Sequence, residues 1–152
     1  MKSQDKHILI AVDESENAKR AVLYVADFLG GFPGFRITLL NIIPEPSEDY
    51  FKTEKDRVEW IKNQKEKMDN LLEKYRIILI QAGFPEEKVD TKINIKPCSS
   101  IAECILEELD KIKACTVVVG RRGISKKEEL IFGSTSNKIL HEAKNCSVWV
   151  IE

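Results

Sequence analysis

Histidine is nearly missing from this sequence: there are two in 152 residues, His7 and His141, at opposite ends of the chain. Spacing alone therefore indicates neither a histidine metal site nor a histidine acid–base pair, and only tertiary proximity would create one. Cysteine is sparse too. Cys98, Cys104, Cys115 and Cys146 include no C-x-x-C pair, and reduced, mostly packed thiols are the expectation. Neither sign of charge is in excess, with 24 Lys plus Arg against 25 Asp plus Glu, and no basic run is interleaved with aromatics. That balance argues against nucleic acid as the main partner. No apolar stretch approaches a membrane span, and the polar start Met1-Lys2-Ser3-Gln4-Asp5-Lys6 leads into an apolar run too short for a signal-peptide core. A cytoplasmic location without a membrane partner is expected.

What is present is a repeating alternation of short β-branched runs and longer amphipathic stretches. The run 7–12 ends at Asp13 and reads as a buried strand. Asp13-Glu14-Ser15-Glu16 then offers capping chemistry for a helix with apolar positions Ala18, Ala21, Val22, Val25, Phe28 and Leu29. Gly30-Gly31 and Pro33-Gly34 stop it, and a second strand covers 35–43 up to Pro44-Glu45-Pro46. Residues 44–56 are Pro-rich and then polar apart from Tyr50 and Phe51, which suggests a mobile segment over a site or at a partner surface. A long helix over about 57–82 carries Val58, Ile61, Met68, Leu71, Leu72, Tyr75, Ile78 and Leu79 on one face. Trp60 lies beside that stripe and reads as packing rather than ligand stacking. A third strand at 89–95 alternates as an edge strand would. Ser99 or Ser100 caps a helix with Ile101, Ala102, Ile105, Leu106 and Leu109; a strand at 116–120, a helix from 134 to about 143 and a strand at 147–151 complete the chain. The order β-α-β-α-β-α-β-α-β implies one α/β domain over 1–152, with a doubly wound parallel sheet, helices on both faces and right-handed crossovers. A chain of this length buries on the order of 70% of its unfolded surface without help from disulfides or metal.

The chemistry-bearing stretch is Val117-Val118-Val119-Gly120-Arg121-Arg122-Gly123, then nine residues, then Gly133-Ser134-Thr135-Ser136. A buried strand opens into a glycine loop, where backbone amides come close to a ligand. The hydroxyl cluster begins the next helix, where unpaired N–H groups and the positive end of the helix dipole favour an anion. These are the parts of a phosphate cradle. It is not a Walker A loop, since no Lys follows the last Gly, and it is not G-x-G-x-x-G. The competing reading is an ordinary strand-to-helix connection with Ser134 or Thr135 as cap.

The spacing G-x-x-G-x9-G-S resembles the nucleotide-binding pattern of the universal stress protein family, in its ATP-binding subclass, and the likeness extends over nearly the whole chain. The resemblance implies a five-stranded parallel sheet of order 3-2-1-4-5, with the site in the crevice between the first and fourth strands. Ile8-Leu9-Ile10-Ala11-Val12-Asp13-Glu14-Ser15 is similar to the family's first strand and its V-D-x-S turn. Ala11, Val12, Asp13 and Ser15 are thus implied near the ribose and phosphates, with Asp13 as a ribose contact or Mg²⁺ ligand; a helix-capping Asp remains the alternative. Thr38-Leu39-Leu40-Asn41-Ile42 resembles the second strand, which implies Ile42 against adenine and Asn41 in place of a common His. Pro97 matches a frequent Pro after the third strand. Val119, Gly120, Arg122, Gly123, Gly133, Ser134, Thr135 and Ser136 match the glycine motif, with backbone amides toward ribose and phosphates and hydroxyls donating to phosphate oxygens. Arg121 and Arg122 either add charge near the phosphates or are solvated.

The resemblance further implies a homodimer through the terminal strand Val148-Trp149-Val150-Ile151, the alternative being an edge strand covered within the monomer. The functional expectation is an ATP-binding cytoplasmic regulatory module with Mg²⁺. A nucleotide-free signalling or interaction module of the same fold and a slow ATP hydrolase are the other readings, because no Walker Lys and no persuasive general base is found.

Overall fold

A computed structural model describes residues 4–121 and 134–152 of the chain. One sheet of five parallel strands has the order β3-β2-β1-β4-β5. In chain order the elements are β1 (Lys6–Ala11), α1 (Glu16–Leu29), β2 (Phe35–Pro44), α2 (Glu54–Gln81), β3 (Val89–Lys96), α3 (Ile101–Ile112), β4 (Thr116–Gly120), α4 (Ser134–Glu142) and β5 (Ser147–Ile151). The expected strand order and class are therefore observed.

The β-branched runs are apolar on both sides because both sides are covered. Along β1, Ile8 and Ile10 join a core with Val22, Val25, Leu72 and Leu79 of α1 and α2, while Leu9 joins a second core with Ile105 and Leu109 of α3 and Ile139 of α4. β2 and β4 divide in the same way, with Leu39 and Val118 on the first face and Leu40 and Val119 on the second. The strand period of two sets this division. β3 is half-buried beyond Val89, as an edge strand would be, and β5 forms the opposite edge.

The helices start at side-chain caps. Ser15 Oγ accepts from Ala18 N at 3.1 Å, Thr53 Oγ1 from Asp56 N at 3.1 Å and Ser100 Oγ from Glu103 N at 3.1 Å, each contributing about 1 kcal/mol. The Thr53 cap starts α2 before the expected 57. Gly83, at φ +120°, turns the chain against Gly31, whose amide nitrogen would lie 2.6 Å from any Cβ placed there.

Within residues 44–56 the chain carries a 3₁₀ turn at Glu48–Tyr50, the Glu45 carboxylate pairs with the Arg57 guanidinium, and Phe51 packs on Trp60 with ring centroids 5.7 Å apart. One expectation is corrected. The cysteines are not all reduced, because Cys98 and Cys104 form a disulfide. The Ser100 cap folds the chain so that Cys98, just before α3, lies beside its first turn. Cys115 and Cys146 are free; Cys115 is exposed, and burial followed by the charge of Cys115 pushes the Cys146 thiol up.

Candidate functional site

β1 ends at Ala11, but the Val12 amide still donates to the Leu40 carbonyl at 2.8 Å, so Asp13 is the first residue to leave the sheet. Its Oδ1 accepts from Ser15 N at 2.7 Å, and Ser15 in turn caps α1. Asp13 therefore shapes the turn with one oxygen while Ser15 does the capping. The other carboxylate oxygen makes no hydrogen bond among the described residues.

At the neighbouring strand end, Gly120 closes β4 directly under the start of α1. A Cβ on Gly120 would stand 2.9 Å from the Asn17 backbone carbon and 3.1 Å from Ala18 N. The missing side chain thus lets α1 and β4 approach, a packing role that the motif alone did not indicate. The Arg121 amide donates to the Ile151 carbonyl at 2.7 Å, its guanidinium pairs with Glu152 at 2.7 Å, and its carbonyl accepts from Ser136 Oγ at 3.1 Å. Arg121 hence ties β4 to β5 and α4, and its guanidinium pairs with the side-chain carboxylate of Glu152. Ser136 is buried, and that hydroxyl proton goes to backbone.

These strand ends, with the first turn of α4, open on one cavity of about 240 Å³. Ala11, Val12, Asp13, Ser15, Ile42, Val119, Gly120, Thr135 and Ser136 of the expected set line it together. Pro97 does not; it lies on an adjoining groove with Glu45, Phe51 and Arg57. Ser134 is the first residue of α4, while Arg122, Gly123 and Gly133 lie outside the described residues.

The cavity has two ends. Toward β4 and α4 it presents Gly120, Thr135 and Ser136, with the first amides of α4 lacking helical partners. Toward β2 it is walled by Ile42, Ile43, Trp60, Met68, Ile101 and Ile105. Trp60, expected to be core packing, contributes to this wall with Gln64 and Met68. Their i, i+4, i+8 spacing on α2 is the sequence signal that would have grouped them on one face.

Asn41 also lines the cavity and is 3% exposed; its Nδ2 donates to the Val12 carbonyl at 2.9 Å, and its Oδ1 has no partner among the described residues. Asp13 and Glu14 are the titratable groups among the lining residues, and Glu14 pairs with Lys67 of α2 at 2.9 Å. Beneath them Tyr75 has its phenol pKa raised by burial, then by the charges of Asp13 and Glu16. An apolar slot leading to a helix N-terminus beside one carboxylate suits a flat apolar group joined to an anion.

Comparison with solved structures places this fold beside hypothetical protein MJ0577, at 24% identity and TM-score 0.79 over 98% of this chain and 96% of that one. A universal stress protein in complex with cAMP matches at 15% identity and TM-score 0.66, over 99% of this chain and 98% of that one. A universal stress protein from Archaeoglobus fulgidus in complex with dAMP matches at 18% identity and TM-score 0.60, over the full length of both. At such identities the likeness concerns the fold. No curated protein sequence matches the chain. Among the described residues no helix is long and apolar enough to cross a membrane. The sequence itself matches the model of the universal stress protein family over residues 5–152, and the chain belongs to that family.

Proposed function

We propose that the cavity binds an adenine nucleotide, with ATP as the ligand tested first, and that the protein acts as a nucleotide-responsive regulatory module. The observation that carries this reading is the two-ended cavity: apolar walls from β2, α2 and α3 converge with the N-terminus of α4. Base and ribose take the apolar end against Ile42 and Trp60, and phosphates lie by Thr135 and the first amides of α4. The cAMP and dAMP complexes of the two family structures are consistent with that class of ligand. Ala11, Val12, Ser15 and Val119 shape the floor, and Gly123, Gly133 and Ser134 are assigned to the phosphates by the motif.

Mg²⁺ fits as an ion carried mostly by phosphate and water. Asp13 offers one uncommitted carboxylate oxygen, and no cluster of three or more His, Cys, Asp or Glu occurs among the described residues. When bound, the ion would neutralise phosphate charge beside Asp13. Among the described residues the lining offers no His or Lys as a general base, which favours binding and response over rapid turnover. A cytoplasmic homodimer through β5 belongs to the same reading. Trp149 stands edge-on to the part-exposed rings of Tyr24 and Phe28, at 6.3 and 6.0 Å, beside that open edge. Val150→Lys should convert the dimer to a monomer in sedimentation equilibrium, and an unchanged wild-type monomer would sink the dimer.

The test of the site is mass spectrometry of any small molecule released on denaturing the purified protein, with calorimetric titration of stripped protein by Mg-ATP. Asp13→Asn is the informative variant because its Oδ1 still accepts from Ser15 N. It should keep the fold and lose Mg²⁺ dependence. No released nucleotide and no binding at millimolar Mg-ATP would refute the reading.

A further inference from the structure

The Cys98–Cys104 disulfide stands where the structure has little need of a staple. An apolar core already covers each face of the sheet, and a chain of 152 residues buries enough surface to fold without cross-links. The bond spans a sequence separation of only 6, and so short a loop removes little entropy from the unfolded chain. In the cytoplasmic compartment proposed above, disulfides are transient or redox-sensing rather than structural.

The two sulfurs differ in access. Cys104 is 2% exposed within the second core, whereas Cys98 is only partly buried where it packs against that core. A thiol arriving from solution therefore meets Cys98 first. Cys104 leaves from a favourable place, because it follows the Ser100 cap at the start of α3 and a helix N-terminus favours negative charge. The ring also encloses part of the cavity wall. Ile101 lies inside it, Ile105 follows Cys104 directly, and both line the cavity. The other ties of this turn are noncovalent. Ser100 Oγ accepts from Glu103 N at 3.1 Å, and the Glu103 carboxylate accepts from Ser99 and, at 2.7 Å, from Lys138 of α4. They keep α3 folded when the bond opens, while Pro97 and Cys98 lose their covalent tie to it.

We propose that Cys98–Cys104 is a redox site for a dithiol reductant, and that its opening loosens the wall formed by Ile101 and Ile105. The effect on ligand rests on the nucleotide reading above; the site itself does not. One thiolate of the dithiol attacks Cys98 Sγ, the S–S bond breaks, and Cys104 leaves as a thiolate that takes up a proton. The second thiolate of the reductant then displaces Cys98, which is protonated in turn, and the reductant departs as a cyclic disulfide. Two electrons pass to the protein, and exchange with a small disulfide returns them.

The experiment treats native full-length protein with excess dithiothreitol in the absence of denaturant, then alkylates it and maps the labelled cysteines by peptide mass. Oxidised and reduced protein are compared by hydrogen exchange and by calorimetric titration with Mg-ATP. Cys98 and Cys104 should be alkylated only after reduction, with the circular dichroism spectrum retained. Amide exchange over 99–106 should quicken on the order of tenfold, and Mg-ATP should bind about three- to tenfold more weakly. Glutathione disulfide should reverse both changes. Cys98→Ser, which leaves the buried Cys104 in place, should match reduced wild type with or without dithiothreitol.

A bond that yields to dithiothreitol only after denaturation would overturn the site. Reduction that leaves the exchange of α3 unchanged would overturn the loosening, and unchanged affinity in protein that binds Mg-ATP would overturn the effect on ligand. Faster exchange in protein that binds no Mg-ATP in either form would refute the nucleotide reading and sustain the redox site.

Discussion

Gly120→Ala separates the architectural use of the glycine motif from its use toward a ligand. The new Cβ would lie 2.9 Å from both the backbone carbon and the Cβ of Asn17 and 3.1 Å from Ala18 N. Two of those three atoms are backbone at the first turn of α1, so no rotamer change relieves the contact. Backbone strain plays no part, because Gly120 is not among the positive-φ residues; the penalty is purely steric. Overpacking of this kind costs about 1–3 kcal/mol, which for a chain of this size lowers Tm by roughly 3–10 °C. Thermal unfolding followed by circular dichroism measures it directly, without ligand. Adding Asn17→Gly removes the Cβ contact but not the two backbone contacts, so it should recover only part of the loss. An unchanged Tm in Gly120→Ala would refute the reasoning, and Gly120 would then matter only to what binds in the cavity. Because α1 starts just after Asp13 and Ser15, weaker nucleotide binding in any Gly120 variant has to be judged against this structural effect.

Other consequences are simpler to check. Thiol titration should give two reactive thiols in denatured, unreduced protein and four after reduction, and Cys98→Ser should cost about 2 kcal/mol from the short closed loop; four thiols before reduction would contradict the Cys98–Cys104 pairing. Burial alone would push the Glu108 carboxyl up, but hydrogen bonds from Lys92 at 2.5 Å and Asn94 at 3.2 Å, with the Lys92 and Lys111 charges, hold it below its usual 4.5. A lowered folded-state pKa means stability that is complete above the unfolded value and lost as pH falls through the folded one. Glu108→Gln should therefore destabilise by about 1–2 kcal/mol at neutral pH and flatten the acid limb of denaturant-midpoint curves below about pH 4.5; an acid limb as steep as that of wild type would rule this out.

The fold was legible because its determinants are local or periodic. Both-face burial writes continuous β-branched runs such as Ile8-Leu9-Ile10 and Val117-Val118-Val119, and the stripes of α1 and α3 recur at helical spacing. Ser15 and Ser100 announce their helices by chemistry within four residues. The meeting of Asp13 with Gly120, Thr135 and Ser136 was expected from strand order, since parallel strands put all loops of one kind at one end.

What remained hidden depends on packing between residues far apart in sequence. Met68 reads as part of one more apolar face with Trp60 packing beside it, and only the path of α2 over the strand ends makes them cavity wall. Gly120 was legible as a glycine that something approaches closely, but not that Asn17 does so. Asn41 shows the division most plainly. In sequence it is a polar residue in a buried strand, which signals only that a partner exists. The partner of its Nδ2 is the Val12 carbonyl, 29 positions away, a pairing that exists only once β1 and β2 lie side by side. Sequence determined the strands and the caps, because these follow from side-chain period and short-range hydrogen bonds, while the order of the sheet was implied by the family resemblance. Tertiary structure alone decided which atoms face the cavity, because hydrogen-bond satisfaction is settled between elements and not within them.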